Sequence, residues 1–255
     1  GRVEFFMYMF RLHRWLMDER PENESAIYWG KVIVGTSTLL MVVAILTGVV
    51  LWFPKSIKAF KNRSKIALRK GWHRFWYDLH VVGGIYATLL ILAMALTGLT
   101  WSFEWYGKRF YALFGVETSA GGGHNHAGDK GGRGERRTDY THWQSALESV
   151  VAECGEYKEL TVSNGSIAVK RGGWGNQRAS DKYSFDSATG EVTEVALYAD
   201  SDYNRKVRGW VYSIHVGNWG GIITRLLWFL AAMLGAALPL TGYYLWIKRK
   251  FFRKR

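Results

Sequence analysis

Apolar and polar positions in this chain do not alternate evenly; they separate into three long apolar blocks with polar stretches between them. Val32–Phe53 (VIVGTSTLLMVVAILTGVVLWF), Leu79–Phe103 and Ile222–Ile247 each run about 22 to 26 residues almost without charge. At about 1.5 Å per residue each can cross ~30 Å of hydrocarbon, so the pattern predicts three transmembrane helices. From Tyr140 the period changes. HWQSALESVVAE sets Trp143, Ala146, Leu147, Val150 and Val151 at helical spacing, and LTV, SIAVK, KYSFD and EVTEVALY follow as short alternating runs divided by Asn-Gly and Thr-Gly turns. These runs predict a small α+β domain, one helix against a few antiparallel strands. Ser119–Arg137 (SAGGGHNHAGDKGGRGERR) is Gly-rich and polar and reads as a flexible loop.

The segments in order are an amphipathic start (1–31), a span (32–53), a basic loop (54–71), a span with an aromatic entry (72–103), a Gly-rich linker (104–139), the α+β domain (140–210), a span (211–247) and a basic tail (248–255).

The formal net charge of +13 would fit nucleic acid, but its distribution argues otherwise. PKSIKAFKNRSKIALRKG, between the first two spans, carries Lys55, Lys58, Lys61, Arg63, Lys65, Arg69 and Lys70 and no acidic residue, and KRKFFRKR follows the third. The positive-inside rule makes both cytoplasmic and sets Glu104 to Ile214 on the other side. Anchoring against anionic lipid accounts for these charges, with docking of an acidic protein as the alternative; nucleic acid drops out. The same topology sets Gly1 to Lys31, with Asp18, Glu19, Glu22 and Glu24, outside. An external start that opens on Gly without a signal-peptide pattern leads to the expectation of a further span upstream.

One cysteine, Cys154, excludes an internal disulfide framework and a cysteine-ligated iron–sulfur cluster, and reads as a small buried hydrophobe. His124 and His126 offer only two ligands on a Gly-rich loop, a poor metal site. His142, at the start of the domain helix, reads as a surface or capping residue.

The three spans share a weak repeat of a Gly, then Thr-Gly, then Trp: Gly35 with TGVVLW, Gly83–Gly84 with TGLTW, and Gly217, Gly220 and Gly221 with TGYYLW. Small residues there admit either a neighbouring helix or a flat cofactor. Histidines stand at the membrane boundaries, where an imidazole is costly: His13 and His215 at the outer one, His73 and His80 at the inner one. An interfacial imidazole among Trp and Tyr is the plain reading of any one of them. Paired axial ligation of a haem needs ring nitrogens ~4 Å apart across the iron, at about 2 Å per bond. His73 and His80, about 10 Å apart along one helix, cannot share an iron unless the helix breaks. The inner pair therefore needs a partner from elsewhere, expected upstream of Gly1.

WYDLHVVGGIYATLLILAMALTGLTW, RLHRWL, IHVGNWGGIITRLLWFLAAMLGAALPLTGYYLWIKRK and YSFDSATGEVTEV resemble the PepSY-associated transmembrane helix proteins, also called iron-regulated membrane proteins, over nearly the whole chain. The resemblance implies a membrane all-α helical bundle, three spans in this chain against four in the family, with a small periplasmic α+β PepSY-like domain, in the bacterial inner membrane. It implies two haem b groups. His13 in LHR and His215 in IHVG would be the outer axial ligands, and His80 in DLH would ligate the inner iron opposite a histidine upstream. His73 matches no anchored family position and keeps three readings: interfacial residue, propionate contact or substitute ligand. It further implies an oxidoreductase that takes electrons from a cytoplasmic reductase or quinol and reduces a ferric siderophore outside, where Fe(II) binds hydroxamate and catecholate oxygens far less well than Fe(III). Trp15, Trp210, Tyr212 and Trp219 would shield the porphyrin edge or line the approach of substrate, or form only an interfacial belt. The rival is a membrane-tethered PepSY binding module without haem; a third reading is an electron-transfer subunit serving another periplasmic enzyme. No nucleophile motif supports hydrolysis.

Overall fold

A computed structural model describes residues 3–19, 21, 26–63, 65, 71–117 and 140–252. His124, His126 and the whole Gly-rich stretch Ser119–Arg137 lie outside the described residues, as does part of the basic loop. The chain divides into two units, residues 1–107 with 225–255, and 108–224.

In the first unit, α1 (Glu4–Trp15) precedes α2 (Trp29–Trp52), and a short α3 (Ile57–Arg63) follows. Next comes α4 (Trp72–Asp78), which runs through a π-helical turn (Leu79–Gly83) directly into α5 (Gly84–Ser102). Then α6 (Glu104–Ala112) leads out of this unit, and the last helix of the chain, α9 (Gly221–Phe251), belongs to it from Arg225 on. Among the described residues, three helical stretches are long and apolar enough to cross a membrane: Trp29–Trp52, Trp72–Ser102 and Gly221–Phe251, of 24, 31 and 31 residues. Much of each is uncovered by protein. Leu51, Leu89 and Leu240 are 82%, 74% and 72% exposed, as side chains that meet lipid rather than a protein core must be.

Small residues set the helix contacts. A Cβ on Gly35 would lie 2.9 Å from Ser102 Cβ and 2.8 Å from the Phe103 ring, so α2 and the end of α5 approach as only glycine permits. Ala87 and Ile91 of α5 pack with Ala231 of α9, flanked by Leu234 and Leu238. Inside α9, Pro239 lacks the N–H that would continue the helical ladder, which loosens the backbone just before Thr241.

The second unit has its own core. Helix α7 (Trp143–Cys154) covers an antiparallel sheet in the order β1 (Glu159–Ser163), β2 (Ser166–Lys170), β3 (Asp181–Phe185) and β4 (Val192–Ala196). Asn164–Gly165 makes the two-residue turn between β1 and β2, with Gly165 at φ 70°, the left-handed geometry that favours glycine there. The inward positions Ile167, Val169, Tyr183 and Phe185 alternate along β2 and β3 and meet Ala146, Val150 and Cys154 of α7. The free thiol is part of this core. Arg171 pairs with buried Asp181 at 3.0 Å, and the other oxygen of that carboxylate accepts the Tyr198 N–H at 2.8 Å.

Helix α8 (Tyr203–Val216) completes the second unit and ends at Gly217, left-handed at φ 68°. Residues 211–216 thus belong to a helix of their own, and the third span begins only at Gly221.

Candidate functional site

Each boundary histidine is fixed by a different local device. His13 stands in the last turn of α1, with Arg14 beside it stacked 4.8 Å over the Trp15 ring and 5.4 Å over Phe10. The chain then reverses through Leu16 and Met17, both left-handed. Asp18 closes the turn: its Oδ2 accepts the Gly30 N–H at 2.8 Å and its carbonyl accepts the Tyr28 hydroxyl at 3.2 Å. A Cβ on Gly30 would lie 1.9 Å from the Trp15 carbonyl, so the end of α1 rests against the start of α2. Part of the His13 ring stays exposed, but crowding by neighbouring atoms, and then the Arg14 charge, lower its pKa and favour the neutral form.

His73 and His80 both face α9. His73 is exposed; its ring stands 6.4 Å from Tyr244, and it lines a groove of about 560 Å³ with Tyr77, Trp246, Lys248, Arg249 and Phe252. Below it, Arg74 Nε donates to Asp78 Oδ1 at 2.9 Å, and the Asp78 side chain is buried. His80 is half-buried inside the π-helical turn. Its Nδ1 lies 2.9 Å from Thr241 Oγ1, and a Cβ on Gly242 would lie 3.3 Å from its Cε1. A π-helical turn inserts one residue into the helix and rotates the side chains around it, and such turns gather at functional positions. His73 and His80 keep separate partners; they do not converge.

His215 belongs to the second unit and stands in the last turn of α8. The loop between β2 and β3 holds that helix. Asn176 sits over Gly209, where even a Cβ would lie 2.2 Å from its Nδ2. Its amide donates to Tyr198 Oη at 2.7 Å and to the Lys206 carbonyl at 3.2 Å. Ser213 Oγ accepts the Gln177 N–H at 2.8 Å, and Arg178 lies 3.8 Å over the Tyr212 ring. Three residues past His215, Asn218 Oδ1 is buried with no hydrogen-bond partner among the described residues. Trp219 packs edge-on to Trp174, and its carbonyl accepts the Gly175 N–H at 2.7 Å.

Gly83 and Gly84 of the repeat serve helix packing, facing Leu234 and Leu238 at 3.3 Å. Gly242 differs in facing an imidazole. Thr241 and Gly242 are site residues that histidine-centred reading passed over, although the repeated Thr-Gly step marked them. Among the described residues no three His, Cys, Asp or Glu side chains gather as ligands, whereas a porphyrin brings four nitrogens of its own and asks the protein for two. His80, whose Nδ1 is engaged by Thr241, would offer its other ring nitrogen to such a group. His142 occupies the N-cap position of α7 without a side-chain cap bond.

A model of the PepSY-associated TM region family matches residues 1–249. The chain belongs to that family. As a PepSY-associated protein it is a multi-pass membrane protein, and the match takes in the first two candidate spans, the sheet unit and all but the last two residues of the third span. A comparison with curated proteins found no match.

Proposed function

We propose that this PepSY-associated protein is a b-type di-haem electron carrier of the bacterial inner membrane that passes electrons from the cytoplasmic side or quinol to the periplasmic face, where a ferric siderophore is reduced. The observation that carries this reading is His80, an imidazole set in a π-helical turn of an apolar span, with one nitrogen bound to Thr241 and a glycine where its ring meets α9. A histidine kept only for packing would not need that combination.

Haem supplies a one-electron store whose potential the protein tunes. His80 would supply an axial ligand to the inner group, and His13 and His215 would supply those of the outer one. Gly242 leaves room for the His80 ring. The basic groove at His73, Lys248 and Arg249 would neutralise propionates or a lipid phosphate. The sheet unit holds α8, and with it His215, in place. Outside the membrane, the exposed Trp210 would offer a flat apolar face to an incoming iron chelate, and one-electron reduction would release the metal because Fe(II) holds oxygen donors less tightly.

The deciding measurement is an optical spectrum of the intact protein from haem-sufficient membranes, before and after dithionite. Sharp reduced α and β bands with about two haems per chain by pyridine haemochrome are expected, two being the number of axial pairs assigned. A colourless protein would overturn the reading and leave a tethered PepSY binding module.

A further inference from the structure

The Thr-Gly step recurs in all three spans but is not used alike. Thr47 Oγ1 donates back to the Val43 or Ala44 carbonyl at 2.9 and 3.0 Å, while Gly48 faces open space. Thr97 turns back on Ala93 and Met94 in the same way. Thr241 makes the same backward contacts, 3.0 Å to both the Ala237 and Leu238 carbonyls, and in addition meets His80 Nδ1 at 2.9 Å.

A hydroxyl has one proton and two lone pairs. In a helix a threonine hydroxyl commonly gives its proton to the carbonyl one turn back, and Thr241 has two such carbonyls in reach. Its lone pairs are then what faces His80. Two acceptors do not bond each other, so with the hydroxyl proton on a carbonyl it is Nδ1 that carries a hydrogen and donates it to Oγ1. A neutral imidazole with hydrogen on Nδ1 keeps its lone pair on Nε2, the nitrogen clear of Thr241. Gly242 adds direction, because any side chain there would press on Cε1 and turn the ring.

We propose that Thr241 is a positioning residue that locks His80 in the Nδ1–H tautomer and sets its ring plane, so that Nε2 is presented as the electron-pair donor to an iron. The metal's identity rests on the haem reading above; the tautomer does not. Partners of this kind, which hold the second nitrogen of a ligating histidine, change metal retention by about 10- to 100-fold when removed.

The test uses the intact protein with histidine labelled in ¹⁵N, and the variants Thr241→Val, which keeps the shape and removes the hydroxyl, and Thr241→Ser, which keeps it. His80→Ala assigns the His80 signals. In haem-free protein the ring nitrogen shifts should show Nδ1–H for wild type and Thr241→Ser, and a population moved toward Nε2–H for Thr241→Val. After haem loading, Thr241→Val should lose one haem about 10 to 100 times more readily than wild type, and Thr241→Ser should retain it. An unchanged tautomer in Thr241→Val overturns the proposal, and so does a changed tautomer with unchanged haem retention. If His80→Ala leaves the haem content of the wild type intact, the haem assignment fails instead, and the tautomer measurement still judges Thr241.

Discussion

His80 and His215 are held in place by opposite means. His80 sits in an apolar span and is placed by one hydroxyl, one glycine and the irregular turn that carries it. His215 ends a helix outside the spans, and that helix is clasped by Asn176, Gln177 and Arg178, each using a different polar or aromatic contact. Within an apolar span less solvent competes for Nδ1, and a single bond can select a tautomer. Where water competes, each hydrogen bond contributes a net of only about 1 kcal/mol, so a helix is fixed by several at once.

Exchanging the histidines themselves should give the largest effects. His80→Ala and His215→Ala are each expected to remove one haem of two, with a redox titration showing a different component lost in each. Full haem content in both variants would refute the ligand assignment. Asn176→Ala ranks next. It deletes the amide bonded to Tyr198 and Lys206 and opens space over Gly209, so the sheet unit should lose about 2 kcal/mol, read as a lower unfolding temperature or faster proteolysis of that unit. The signals of the His80 ring should not move; if they do, the two devices are not separate. The mildest contrast compares glycines of the same motif. Gly242→Ala sets a methyl 3.3 Å from His80 Cε1 and should shift the ring signals at a cost of about 1 kcal/mol, whereas Gly48→Ala, facing open space, should change stability by less than ~0.5 kcal/mol. Equal responses at the two sites would deny Gly242 its special place.

Much of this architecture can be read from hydrophobic period alone. A bilayer demands length and apolarity, so three blocks announce three spans, and the alternation in SIAVK and KYSFD carries through to Ile167, Val169, Tyr183 and Phe185 in the core. Ala146 and Val150 likewise face inward from α7, whereas Val151, at the same helical period, stays 40% exposed because the sheet covers only part of that helix. The independence of α8 was harder to foresee. IHVGNWGG reads as an entry to the third span, and only the left-handed backbone at Gly217 and Gly221 shows that the helix stops and starts again. The π-helical turn at Leu79–Gly83 left no compositional trace, since it depends on which neighbour the helix packs against. The histidines themselves were visible, but the side chains that aim them were not. Thr241 and Asn176 are ordinary polar residues until the fold sets each against its partner.

The single cysteine gives the sheet unit a built-in reporter. Cys154 lies in the core between α7 and the strands, 3% exposed, and it is the chain's one thiol. A maleimide dye added to intact membranes would therefore be slow to react for as long as that unit stays closed, and its rate of attachment would time the opening of one half of the molecule without any engineered label.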